Sequence, residues 1–466
     1  MARRTSGRLL GLTATASLMV ALDATAVSTA LARIRLDLAA TVEQLEWTVN
    51  AYSLSFAVLL MTGAALGDRF GRRRMFAAGL GLFTAASAAC AAAPDVGWLI
   101  AARAVQGSGA ALVMPLAMAL LGTGFPPERR ARALGVFAGV TGLAVVAGPV
   151  VGGIVTEGLA WQWIFWLNVP IGLVVIPLVL RDVPESRGAG ASFDVGGVVL
   201  VTGGALGLAW GLIRSGTVGW DAAEVDGALA VGVLLTAAFA VWELRVDKPM
   251  VPLRLLRERG FSAGNAAGFL MYAALYGSLF FVAQFFQTSL GDGPMETGLK
   301  LMPWTGTVTV VAPVAGALVN RIGARTLTVT GLTLQAVGMA WLSLLADPDA
   351  AYPALVAPMV IAGAGISMAM PAVQTAVINS VGPQRIGTAS GVFNTLRQLA
   401  AVFGVAVLAA VFTAHGGYGG ARAFADGCAP ALAVSGVFSL AGAVAALLIP
   451  RAAKAAPVPP VPALAR

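Results

Sequence analysis

Cysteine, histidine, lysine and charge are all scarce in this 466-residue chain, and each shortage removes a class of chemistry. Two cysteines, Cys90 and Cys428, and one histidine, His415, cannot assemble a four-ligand zinc site or a disulfide framework. None of the three lysines, Lys248, Lys300 and Lys454, follows a glycine, so there is no Gly-Lys-Ser/Thr phosphate loop. A lone histidine without paired catalytic carboxylates leaves the usual enzyme chemistries short of parts. The expectation is a non-enzyme without metal or cofactor. Charged residues make up only 11% of the chain, against about 25% in soluble domains. Hydrophobic residues make up 58%, too many for the remaining polar surface to coat a water-soluble body. The 57 glycines follow no collagen period, and the apolar content is too high for disorder. A polytopic membrane protein remains.

A helix crosses the hydrocarbon core with about 20 apolar residues. Fourteen runs meet that length, near 9–31, 47–67, 75–93, 96–121, 131–157, 161–181, 194–213, 224–245, 261–288, 296–321, 324–346, 352–379, 385–413 and 427–450. They are continuously apolar rather than alternating, so they predict helices and not barrel strands. The first run could pass for a signal peptide, but it continues past Asp23 to Leu31 and reads as a retained helix. With the N-terminus inside, 23 of the 30 Lys and Arg fall on one face and five on the other, while Arg103 and Arg397 lie within spans. Both termini are therefore expected on the cytoplasmic side. The net charge of +8 reads as topological, with no nucleic-acid partner.

Residues 107–137 align without a gap on residues 363–393, with ten identities in 31 positions, including Gly107/Gly363, Gly109/Gly365, Met114/Met370, Pro115/Pro371 and Phe137/Phe393. ALGDRFGRR at 65–73 likewise matches ALVNRIGAR at 317–325. The first match carries span 4 onto span 12, an even displacement, so the two copies run in the same direction through the bilayer. The organisation this predicts is six helices (1–181), an inserted pair with flanking loops (182–258), six more helices (259–450) and a proline-rich tail (451–466).

Four constellations carry chemistry. In the turn after span 2, Gly71 supplies backbone freedom among Arg69, Arg72 and Arg73, while Asp68 offers an anion to a helix N-terminus or an arginine. Its second copy holds Asn320, Arg321, Gly323 and Arg325, with an amide where the acid stood. In span 4, Arg103 is a cation that costs at least about 2.5–3.5 kcal/mol to place in a bilayer, so it is rarely idle. Asp23 in span 1 is the acid read as deep enough to answer it, either as a titrating couple or as a fixed structural pair. In span 5, Pro149 bends the helix, and Gly148, Gly152 and Gly153 leave a groove for a neighbour. Glu157 follows, as a second titrating site or as a solvated helix end. Tyr272, Tyr276, Gln284, Gln287 and Trp304, with Thr25, Gln106, Asn394 and Arg397, are candidates for an apolar cavity furnished with a few amides. Arg397 either lines that cavity or snorkels to the membrane face.

These motifs, in this order and over nearly the whole chain, resemble the major facilitator superfamily, in particular its fourteen-helix drug:proton antiporters. Further matching segments are Leu22 to Ser28, Trp161 to Gly172, Phe193 to Gly196, Pro249 to Leu253 and Asn394 to Gln398. Departures include Ala64, Ser28, Ala144 and Gln162, which replace the family's usual Gly, Asn, Gly and Arg. The resemblance implies an all-α fold with a parallel pseudo-twofold repeat. It also implies a monomeric exporter of small lipophilic compounds in a bacterial cytoplasmic membrane, driven by the proton gradient. In that reading Asp23, Arg103 and Glu157 handle protons, and the arginine turns govern gating. A proton-independent facilitator or importer on the same fold is the neighbouring reading, and a membrane-embedded enzyme or receptor a distant one.

Overall fold

The computed structural model describes residues 2–125, 127–187, 194–246, 249, 253–381 and 386–450. Among these the architecture is helical, with no strand. The first part comprises α1 (Ala2–Asp37), α2 (Val42–Phe70), α3 (Arg72–Ala91), α4 (Val96–Gly124), α5 (Pro127–Gly158), α6 (Trp163–Trp166) and α7 (Asn168–Asp182). A pair follows, α8 (Val195–Val218) and α9 (Ala223–Arg245). The last part comprises α10 (Arg259–Thr288), α11 (Pro294–Lys300), α12 (Met302–Thr305), α13 (Thr307–Ile322), α14 (Ala324–Leu344), α15 (Tyr352–Asn379), α16 (Ile386–His415) and α17 (Ala421–Ala446).

Twelve stretches among the described residues are long and apolar enough to cross a membrane. The number is thirteen if the two parts of α2, Val42–Leu60 and Thr62–Phe70, which meet at 50°, count as one. The described residues thus give twelve or thirteen spans rather than fourteen. The predicted span at 131–157 falls on α5, a 32-residue helix many of whose side chains lie outside the described residues. Two predicted spans run on through short irregularities with helical dihedrals at Leu167, Leu301 and Gly306. The run at 161–181 is divided between α6 and α7, and the run at 296–321 is divided among α11, α12 and α13. Pro303, which has no N–H to donate, and Gly306 mark the second set of irregularities. Helix α2 begins earlier than its apolar run because a capping box starts it. Thr41 N–H donates to Gln44 Oε1 at 2.9 Å, and Gln44 N–H donates to Thr41 Oγ1 at 3.3 Å.

Packing repeats between the two parts as the parallel alignment requires. Helix α4 packs on α2 and α3, and α15 packs on α13 and α14. Helix α1 packs on α5, and α10 on α16. The aligned glycines do the same work in each copy. A Cβ on Gly109 would lie 2.6 Å from Phe83 N of α3, and one on Gly365 would lie 2.5 Å from Gln335 N of α14. Close backbone approach of this kind is how helices associate when lipid removes the hydrophobic drive between them. The equivalent turns also agree: Gly71 has φ of +108° and Gly323 of +93°, the left-handed region that side-chain-bearing residues avoid. Helices α8 and α9 pack on each other, and α8 also touches α2 and α16.

Candidate functional site: a buried ion pair beside a central cavity

Asp23, halfway along α1, is completely buried, and Arg103 of α4 is 1% exposed. Arg103 Nη1 donates to Asp23 Oδ2 at 2.6 Å. A carboxylate out of water needs every lone pair answered, and here the answer comes from α4 and α7, with α3 behind them. Gln106, one turn after Arg103 on α4, donates through Nε2 to Asp23 Oδ1 at 2.9 Å. Asn168, at the first residue of α7, donates to the same oxygen at 2.8 Å. Ser87 of α3 accepts from Gln106 at 2.8 Å and from Asn168 at 3.3 Å, and passes its own proton to Phe83 O at 2.8 Å. Gln106 Oε1 accepts from Arg103 Nη1 at 2.6 Å, which fixes the amide's orientation.

The guanidinium is caged as well as paired. Its Nε donates to Thr48 O at 3.2 Å. Its Cζ lies 4.1 Å above the Tyr52 ring and 5.7 Å from that of Phe165. Aromatic faces attract a desolvated cation. Tyr52 has a second role, because it also lines a central cavity of about 100 Å³. That cavity is walled by α1 and α2 on one side (Thr25, Ser28, Tyr52, Ser53) and by α10 and α16 on the other (Tyr276, Phe280, Arg397, Gln398). Chemically, the arrangement keeps one ion pair out of water beside a chamber that can hold an apolar molecule with a few polar groups. It offers no nucleophile aligned with a base.

Of the residues expected in the cavity, Thr25, Tyr276 and Arg397 line it. The others lie elsewhere. Gln106 belongs to the ion-pair network. Tyr272 stacks on Tyr276, with centroids 6.1 Å apart. Gln284 accepts from the Tyr418 hydroxyl. Gln287 donates to Thr29 O at 2.8 Å, joining α10 to α1. Trp304 is buried, with its backbone against Gly363. Asn394 donates to Ser390 O of its own helix at 2.9 Å.

The arginine turn is latched to the end of α7. Asp68 Oδ1 pairs with Arg72 across the turn at 2.7 Å. Arg73 N–H, in the first turn of α3, donates to Glu185 Oε1 at 2.9 Å, placing an anion at a helix N-terminus. Arg73 also donates to Leu180 O and Val183 O, both at 3.3 Å. Arg69 lies over Phe70, 5.3 Å from the ring centroid. In the second copy Arg321 and Arg325 form no ion pair among the described residues, and the Asn320 side chain lies outside them, as do residues 250–252 and the tail.

The glycine groove of α5 has two occupants. Gly148 and Gly152 leave no room for a Cβ against Thr25, Ala26 and Thr29 of α1. Gly153 meets Pro294 of α11 in the same way, and a Cβ on Gly298 of α11 would lie 2.6 Å from Pro149 O. Glu157 stands apart from the Asp23 network and accepts from Met295 N–H at 2.9 Å. This seam lies at the end of the bundle opposite the arginine turn.

Two functional-looking residues escaped the sequence reading. Asn168 was visible only as part of an aromatic segment, although an amide inside an apolar run is itself a signal. Glu46 is 2% exposed, and its Oε2 has no hydrogen-bond partner among the described residues. The Thr41/Gln44 capping pattern could have placed it inside α2.

Helices of membrane-spanning length in two like-packed sets, with a charged pair and a cavity at their centre, define a secondary-transporter fold. Comparison with known proteins says which one. The Major Facilitator Superfamily profile matches residues 13–405 and 265–463, and the chain belongs to that superfamily. It is 35% identical over 402 residues to the tetracenomycin C resistance and export protein of Streptomyces glaucescens, covering 86% of this chain and 74% of the relative. It is 36% identical to the cephamycin export protein CmcT of Amycolatopsis lactamdurans (97% and 94% covered) and 35% identical to a methylenomycin A resistance protein of Streptomyces coelicolor (96% and 93%). In fold it is similar to the Escherichia coli xylose transporter XylE, in a partially occluded inward-open conformation, with a TM-score of 0.63 at 15% identity over 94% of this chain and 96% of that one. It is also similar to a POT peptide transporter, with a TM-score of 0.69 at 16% identity and 94% of each chain covered. The chain is a multi-pass membrane transporter and not an enzyme.

Proposed function

We propose that this protein is a proton-coupled exporter of small lipophilic compounds, exchanging cargo for H⁺ by alternating access. The observation that carries the reading is the Asp23–Arg103 pair, buried beside the central cavity and sharing Tyr52 with it. A buried, paired carboxylate in a membrane is expensive unless it does something. Protonating Asp23 would release Arg103 and loosen the four-helix network, and deprotonation would restore it. A membrane potential of 100 mV supplies about 2.3 kcal/mol per charge, enough for one proton to drive a modest gradient. The resistance and export functions of the relatives support the outward direction. In this reading residues 1–181 and 259–450 are the two rocking halves, residues 182–258 are the insertion and 451–466 the tail. The arginine turn holds the first half together on one face, and the α5–α11 seam closes the other face.

The test is Asp23→Asn, which keeps the carboxylate's shape. Reconstituted in vesicles with an imposed pH gradient, the variant is expected to remain folded and to lose gradient-driven efflux of a fluorescent lipophilic dye. Efflux at the wild-type rate that an uncoupler still abolishes would remove Asp23 from the proton pathway. Wild-type efflux indifferent to an uncoupler would make the protein a facilitator.

A further inference from the structure

Arg397 is the second in-span cation, and its surroundings differ from those of Arg103 in every respect that matters to a ligand. Arg103 is sealed, neutralised by Asp23 and caged by rings. Arg397 of α16 lines the central cavity and forms no ion pair among the described residues. Its Nε is buried without a hydrogen-bond partner. Its Cζ lies 5.6 Å from the ring centroid of Tyr272, a contact that attracts but does not neutralise. No carboxylate is among the residues lining that cavity, whose polar groups otherwise include the side chains of Tyr276, Gln398, Thr25 and Ser28. Asp23, which does not line the cavity, is already matched by a full positive charge. The cavity therefore presents one uncompensated positive charge among apolar walls.

We propose that this cavity is a binding site for lipophilic anions, molecules with an apolar ring system and one carboxylate, phenolate or enolate, and that Arg397 is the residue that selects them. The inference rests on the exporter reading for its biological sense but not for its physics. The Tyr272 hydroxyl is a neutral hydrogen-bond partner of the guanidinium; an anion entering the cavity adds the charged partner it has none of, and a planar fork suits a two-oxygen group. A lipophilic cation would meet like charge in a low dielectric with no acid to offset it. Amines are thus excluded by repulsion, which is how a permissive apolar pocket acquires specificity.

The experiment compares three probes with one small aromatic ring each, sized for a cavity of about 100 Å³: benzoate, benzyl alcohol and benzylammonium. Binding to the purified full-length protein in nanodiscs is read by isothermal titration calorimetry, with empty nanodiscs subtracted. The anion is expected to bind at least about tenfold more tightly than the cation, with the alcohol between. Arg397→Gln should erase the difference and Arg397→Lys should retain part of it. Equal affinities, a preference for the cation, or no measurable binding of the anion to wild-type protein would each overturn the proposal, and none of these readouts requires the variant to fold. Because binding is measured without a gradient, a failure of proton coupling leaves the charge preference intact. Loss of the preference likewise leaves proton coupling standing.

Discussion

If the Asp23–Arg103 pair is an energetic unit, removing one member should cost far more than removing both. In Arg103→Met the Asp23 carboxylate keeps two amide donors, Gln106 at 2.9 Å and Asn168 at 2.8 Å, but loses its only counter-charge. A buried charge left without its partner costs about 3–5 kcal/mol. Asp23→Leu strands the guanidinium at a similar cost, softened by Tyr52 and Thr48. The double variant removes both charges. Gln106 and Asn168 then still share Ser87, so what remains is one or two weakened amide bonds, about 1–3 kcal/mol in all. The cycle should therefore close with a coupling of about 3 kcal/mol or more in favour of the pair. Unfolding of the purified protein by SDS in mixed micelles, followed by tryptophan fluorescence, supplies the four stabilities. Additive losses, or an Arg103→Met protein as stable as wild type, would refute the argument. The double variant should regain stability without regaining gradient-driven efflux.

Two further outcomes follow from the geometry. Gly298→Val places a side chain where a Cβ already lies 2.6 Å from Pro149 O and 2.9 Å from Val150 Cα; unchanged helix content by circular dichroism with transport reduced at least about tenfold is expected, and full transport would exclude the α5–α11 seam as a moving contact. Burial lifts the Asp292 carboxyl above the usual carboxylate range, partly offset by Lys300 Nζ at 2.7 Å. The folded state then keeps a proton that the unfolded chain has released, so stability declines as pH rises past about 3.9. Thermal midpoints between about pH 3.5 and 6 should show that decline in wild type and a flatter course in Asp292→Asn, and parallel curves would contradict it.

Charge and periodicity made the centre of this molecule legible before its shape was known. An arginine and an aspartate in separate apolar runs have few partners to choose from, and Arg103 and Asp23 do meet. Amides were harder to read, because a glutamine in a span can serve a cavity or a charge equally well. Gln106 sits three residues after Arg103, on the same face of α4, and that placement turns it toward Asp23 rather than the cavity. The irregularities between α6 and α7 and among α11, α12 and α13 were invisible to hydropathy, which reads each stretch as one apolar run, and each is one span. Glu46 went unread for a related reason: its helix is started by a polar capping box, while the apolar run begins one residue after it.

The position of Tyr52 bears on how such a transporter tolerates varied cargo. One aromatic ring faces both the Arg103 guanidinium and the cavity, while Asp23 is not among the residues that line the cavity. The buried pair can stay fixed while the guest chamber drifts in sequence, and new specificities can arise without disturbing it. Chain-to-chain differences among such exporters should then gather among the chamber's lining residues rather than in the pair's network.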